Sequence, residues 1–220
     1  MEPTIEVRWI QRGRCPAPVD DWFRHAFGST SSIPPAHEER QDLYLHLPGS
    51  EELGIKLRGP DNDKLEIKRR EQDFGLSTFH GGIEGRVEQW IRWSFNLDAS
   101  NPGTGNPTRP PGAWISVSKA RDTLTFRARS DGTIWEVADS NRLPDGCTAE
   151  LTHLDIDGQE WWTFALEAFG PLETARHHFE AIAHHVFLEQ PGPYACSADC
   201  SLSYPAWVGQ LAPQGEINPT

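Results

Sequence analysis

The sequence predicts an α+β protein built on a closed antiparallel β-barrel, a tunnel of about eight strands with flanking helices. Two observations carry that expectation. Most regular stretches alternate polar and apolar residues with a period of two, as strands with one buried face do. In addition, roughly half of the 20 Lys and Arg residues fall on the polar faces of those stretches, although the formal charge of the chain is −12. An acidic chain that gathers its cations on strand faces is expected to line an interior with them.

Thr4-Ile-Glu-Val-Arg-Trp-Ile10 reads as the first strand, with Thr4, Glu6 and Arg8 on one face and Ile5, Val7 and Trp9 on the other. Residues 19–27 read as a short amphipathic helix with acidic residues in its first turn. Residues 28–35 form a Ser/Pro-rich loop, and Gln-Asp-Leu-Tyr-Leu-His-Leu (41–47) is the second strand.

The stretch from Gly54 to Glu71 is the most telling, because Gly59-Pro-Asp-Asn-Asp63 joins two short strands as a turn. Lys56 and Arg58 share a face opposite Ile55 and Leu57, and Lys64, Glu66, Lys68 and Arg70 share one opposite Leu65 and Ile67. The hairpin is therefore apolar on one side and cationic on the other, with one carboxylate among the cations.

Residues 73–85 are glycine-rich and carry no clear period, and Gln89-Trp-Ile-Arg-Trp-Ser-Phe95 is a further strand. Residues 96–112 form a long loop of Asn, Pro, Gly and Thr. Strands at 114–120 and 123–129 are expected on either side of Arg121-Asp122, with Arg127 and Arg129 on the polar face of the second. Residues 148–156 and 160–169 form a hairpin turning at Asp157-Gly158, and 172–188 a helix with Phe179, Ile182, Ala183 and Val186 on its apolar side. Residues 1–190 are expected to be the barrel domain and 191–220 an irregular C-terminal tail.

Composition excludes several classes of function. The net charge argues against a general nucleic-acid surface. No apolar run approaches the roughly 18 residues of a membrane span, and the first residues lack the features of a signal peptide, so a cytoplasmic protein is the expectation. Cys196 and Cys200 lack a second pair and are a weak zinc signal, so the four cysteines are read as reduced thiols. His177, His178, His184 and His185 belong to a solvated or half-buried helix surface, and most of the nine tryptophans to core packing. No nucleophile-elbow motif supports Ser/His/Asp catalysis.

The cations that such a barrel gathers inside are Arg8, Lys56, Arg58, Lys68, Arg70, Arg92, Arg127 and Arg129. They repel one another unless an anion sits between them, and a small phosphate-containing ligand suits both Arg and Lys. The carboxylates Glu6, Glu66, Glu150 and Glu167 are then candidate ligands for Mg²⁺ or Mn²⁺, which take oxygen donors and bridge phosphates. A metal in that place orients water for attack on a terminal phosphoryl group.

On these residues the sequence resembles the CYTH superfamily of triphosphate tunnel metalloenzymes over roughly residues 3–188. Thr4-x-Glu6-x-Arg8 stands where that superfamily has a Glu-x-Glu-x-Lys motif; Lys56/Arg58 and Glu66/Lys68/Arg70 look like its basic strands, and Glu150 and Glu167 like its late acidic positions. The resemblance implies an eight-stranded tunnel and a metal-dependent phosphohydrolase of triphosphate, polyphosphate or an organic triphosphate, with Glu6, Lys68 and Glu167 catalytic. Thr4 replaces one carboxylate of the motif, which also leaves open a noncatalytic protein that binds a phosphorylated ligand.

Overall fold

The computed structural model describes residues 2–25, 33–58, 63–97, 113–138, 143–193 and 196–211. Its chain order is β1 (Glu2–Arg12), α1 (Ala17–His25), β2 (Ala36–Leu45), β3 (Leu53–Arg58), β4 (Lys64–Thr78), β5 (Glu84–Asn96), β6 (Trp114–Ala128), β7 (Ile134–Glu136), β8 (Gly146–Ile156), β9 (Gln159–Phe169), α2 (Leu172–His184) and α3 (Tyr204–Gln210). All strand pairings are antiparallel, in the order β2-β3-β4-β5-β1-β9-β8-β6-β7. A second pairing of β2 with β6, from Ala36↔Thr123 to Leu45↔Trp114, closes eight of these strands into a barrel. The expected closed barrel is present, and β7 lies outside the ring as a short addition to β6.

Several expected elements hold with small changes of boundary. The hairpin β8–β9 turns at Asp157 and Gly158, with φ of 52° and 80°, the left-handed pair that a two-residue turn between twisted strands requires. The last two residues of the expected helix at 19–27, residues 28–32 of the loop expected at 28–35, residues 98–112 of the loop expected at 96–112, the turn residues 59–62 and the tail from 212 onward lie outside the described residues. The glycine-rich stretch after Asp73 continues β4 to Thr78, with irregular register between Asp73 and Gly75.

Three expectations need correction. Arg121-Asp122 is not a turn: β6 runs unbroken for 15 residues, and its alternation continues through both of them. The late helix is regular only to His184 and ends in a π-helical turn, His185–Glu189. The C-terminal stretch is not irregular throughout, because α3 forms there, capped by the Ser203 hydroxyl, with proline in its first turn.

Two apolar layers hold the barrel. The outer one packs α1 and α2 on β1, β6, β8 and β9. Trp9, Phe164 and Phe187 sit at its centre, joined by Trp22 and Phe23 from α1. A nine-residue helix is too short to persist alone, and burial of Val19, Trp22 and Phe23, at about 1.5–3 kcal/mol each, fixes α1 in place. His178 departs from the expected helix surface: it is buried, its Nδ1 accepts from the Ala128 amide, and its Nε2 meets Asp145 at 2.8 Å.

The inner layer sits inside one end of the barrel. Ile10, Tyr44, Ile115, Val117 and Leu154 point inward there and pack on Trp207 and Val208 of α3. Tyr44 stacks on Tyr204 with centroids 5.7 Å apart, and Trp161 meets Trp207 edge-on at 5.6 Å. Gly54 is needed for this seating, since a Cβ there would stand 2.9 Å from Pro205 Cγ. Helix α3 therefore stoppers that end of the tunnel.

Candidate functional site

Period-two alternation and barrel closure determine what lines the lumen. In β1, β3, β4, β5, β6, β8 and β9 the inward face carries charge, and the side chains converge on a cavity of about 160 Å³. Eight cations border it: Arg8, Arg40, Lys56, Arg58, Lys68, Arg92, Lys119 and Arg121. Glu66, Glu150, Glu167, Thr152 and Tyr204 complete most of the wall. A wider recess beyond Arg92, Arg121, Glu150 and Glu167 reaches Pro3, Thr4, Thr148 and Phe169 and forms the mouth opposite α3.

Each carboxylate is already held by cations. Arg8 donates to Glu150 Oε1 at 2.8 Å and Arg121 to Glu150 Oε2 at 3.0 Å. Lys68 donates to Glu6 Oε2 at 2.7 Å and stands 3.8 Å from Glu167 Oε1. Glu66 faces Lys56 at 3.1 Å and Arg58 at 3.2 Å. Asp42, with no exposed surface, lies within 3.3–3.8 Å of Arg40, Arg58, Lys119 and Lys56.

The titration of these groups records the crowding. Burial pushes the Lys56 ammonium down to about 7, helped by Arg58 and only partly resisted by Asp42 and Glu66. Burial likewise lowers Lys119 to about 7. Lys119 also sits 3.8 Å above the ring of Tyr204 and donates to Tyr44 Oη at 2.6 Å. The carboxyls move the other way. Burial alone would raise Glu66, but Lys56 and Arg58 outweigh it and bring it to about 2. Glu150, Glu167 and Asp42 are lowered by their cations against the same opposition.

Of the residues singled out in the sequence, Arg8, Lys56, Arg58, Lys68, Arg92, Glu66, Glu150 and Glu167 border the cavity. Glu6 is buried beside it through Lys68. Three cations stand elsewhere. Arg70 pairs with Glu88 at 2.5 Å, Arg127 with Asp145 at 2.6 Å, and Arg129 stacks 5.0 Å over Trp135. Arg127 has the inward parity of Lys119 and Arg121 but lies past the cavity, where β6 pairs with β7.

Arg40, Asp42, Tyr44, Lys119, Arg121 and Tyr204 were not anticipated. The alternation Arg40-x-Asp42-x-Tyr44 is present in the sequence, but Arg40 precedes the expected strand at 41–47, whereas β2 begins at Ala36. Lys119 and Arg121 required β6 to be read as one strand.

The carboxylates do not form a ready cation site. Glu6 and Glu167 are register partners on adjacent strands, but Glu66 and Glu150 belong to separate ion-pair groups. Among the described residues, no lumen trio of His, Cys, Asp or Glu brings its ligand atoms within 4.8 Å of one another. Thr4, in the place of the missing motif carboxylate, is buried with its Oγ1 unpartnered. As arranged, these residues do not fit Mg²⁺ or Mn²⁺, which need several converging oxygens.

No family model and no curated protein matches the chain. Similar solved structures include the Pct1 RNA triphosphatase of S. pombe, at 12% identity over 86% of this chain and 81% of that one, with a TM-score of 0.44. The same enzyme in complex with the Spt5 CTD gives 13% identity, 86% and 77% coverage and a TM-score of 0.42. The Mimivirus capping enzyme triphosphatase gives 10% identity, 82% and 87% coverage and a TM-score of 0.42. The ring of eight antiparallel strands with a charged lumen agrees with the closed barrel expected from the sequence.

Proposed function

We propose that the lumen binds the phosphate chain of a triphosphate, a polyphosphate or an organic triphosphate. The observation that carries this reading is the convergence of eight cations on one cavity, against three bordering carboxylates and, behind the wall, Asp42 and Glu6. Arginine forks take phosphate oxygens two at a time and lysines act as point charges, so the wall offers both modes. Two lysines held near 7 mark a place where added negative charge lowers the free energy. Four free cysteines accord with a cytoplasmic setting.

A second reading is hydrolysis of that ligand with Mg²⁺ or Mn²⁺, for which the bound phosphate chain would have to supply the oxygens that the wall alone does not bring together. It is favoured by Glu6 and Glu167 lying in register across β1 and β9, both beside Lys68. In this reading Lys68 holds phosphate charge and the two carboxylates are the catalytic pair.

Thermal shift and phosphate release, measured on one panel, test both readings. The panel holds inorganic triphosphate, long-chain polyphosphate, thiamine triphosphate, a nucleoside triphosphate and a triphosphate-ended RNA oligonucleotide, each with and without Mn²⁺. Binding predicts a rise in melting temperature by mass action for at least one member, weakened in Arg58→Ala. Equal shifts in wild type and variant would refute it. Metal-stimulated release of phosphate would establish the second reading.

A further inference from the structure

We propose a second, separate ion site on the outer face of the barrel, where Cys15, Asp20 and His153 are placed to bind Zn²⁺ or a similar transition-metal ion. The inference is independent of what the lumen binds. Cys15 lies between the end of β1 and the start of α1, Asp20 in the first turn of α1, and His153 on the outward face of β8. The β1–α1 connection, helix α1 and the sequence-distant strand β8 thus bring a thiol, a carboxylate and an imidazole to one point. The ligand atoms all lie within 4.8 Å of one another, and this is the one such trio among the described residues.

The spacing suits a tetrahedral ion. Bonds of about 2.0–2.3 Å to N, O and S place neighbouring ligand atoms roughly 3.3–3.7 Å apart. His153 Nε2 and Asp20 Oδ1 are already 2.9 Å apart, so small side-chain adjustments complete the geometry. The donor set also selects the ion. A thiolate and an imidazole suit zinc-like metals and do not suit Mg²⁺ or Ca²⁺, which take oxygen. Thiolate and carboxylate together carry two negative charges against a divalent cation.

Access is graded. Cys15 is 4% exposed and packs in the outer core, whereas the side chains of Asp20 and His153 are 26% and 33% exposed. Water can reach the outer side and supply the fourth ligand of an open site. Arg24, the cation on the same helix, is turned to Asp122 at 3.2 Å. Binding there would tie α1 to β8 and lock the helix onto the barrel.

Co²⁺ titration of the full chain, freed of metal with a chelator, tests the site, because a cysteine thiolate on cobalt gives a near-ultraviolet charge-transfer band. Wild type should show that band saturating at one equivalent and a higher melting temperature with Zn²⁺, and Mg²⁺ should compete for neither. Cys15→Ser should lose the band. His153→Asn, which keeps a hydrogen-bonding group for Asp20, should weaken affinity by more than the roughly 10–100-fold that loss of an outer partner of a metal site costs. Absence of the band in wild type would overturn the proposal. So would its persistence in Cys15→Ser, which would assign it to Cys196 or Cys200.

Discussion

Lys68 on β4 and Glu6 on β1 meet across the intervening β5, with Nζ 2.7 Å from Oε2. An ammonium therefore satisfies a carboxylate that the resemblance assigns to a metal. The same ammonium lies 3.8 Å from Glu167, so one cation serves two acids.

The first prediction follows from that sharing. Glu167→Gln is nearly isosteric and removes one negative charge beside Lys68, so triphosphate should bind more tightly without metal, by about two- to tenfold. Lys68→Ala should weaken it by a comparable or larger factor. Calorimetric titration in metal-free buffer checks both. Under the hydrolytic reading Glu167→Gln also abolishes Mn²⁺-stimulated phosphate release; if Glu167 is merely a counter-charge, turnover is unchanged.

Restoring the missing acid gives the second test. Thr4 points to the lumen two residues before Glu6, at the mouth. Thr4→Glu should raise Mn²⁺ affinity at least about tenfold, read by competition with a chelating dye. An unchanged affinity would show that Lys68 keeps Glu6 and Glu167 from a metal even when a third acid is present.

The third concerns pH. Lys56 and Lys119 are near 7 when folded, against about 10.4 for a free lysine, so between pH 6.5 and 8 the unfolded chain binds more protons. Stability of the ligand-free protein should rise across that window by a few degrees in melting temperature. Triphosphate favours the protonated lysines, so its affinity should fall over the same interval, with proton uptake on binding. Above roughly pH 8.5 the rise should become less steep, because buried Cys15, raised to about 12, ionises only on unfolding and offsets part of the lysine contribution. Scanning calorimetry at fixed ionic strength, repeated for Lys119→Met, checks the assignment.

The fourth tests the seating of α3. Trp207 is 2% exposed and fills the end of the barrel, so Trp207→Ala should cost about 3–5 kcal/mol in a denaturant melt. Tyr204→Phe keeps the ring over Lys119 and should cost far less.

Much of the fold was legible because strand alternation records a two-sided environment. Lys56, Arg58, Glu66 and Lys68 share a face by one rule, and closure of the barrel turns that face inside. It failed where local chemistry imitates something else. Arg121-Asp122 looks like a turn, yet Arg121 is drawn inward by Glu150 while Asp122 turns outward to His37 and Arg24. Helix α3 has seven residues and little period, and only the empty end of a barrel gives its Trp207 and Val208 a place to go. Parity also cannot say where a lumen stops, which is why Arg127 has the right face and the wrong depth. The Cys15–Asp20–His153 meeting depends on α1 packing against β8, and no spacing in the chain brings His153 to the other two.

With Tyr204 and Trp207 filling one end of the barrel, a chain bound in the lumen as proposed would be read from its tip. Nothing can be threaded through, so a long polymer presents only its terminal units, and the rest trails in solvent beyond Thr4 and Phe169. Affinity per chain should then level off once a polyphosphate is long enough to reach Lys119 from the mouth, however many units follow. Any fragment freed at depth has to leave by the way the chain came, so departure and arrival compete for one passage.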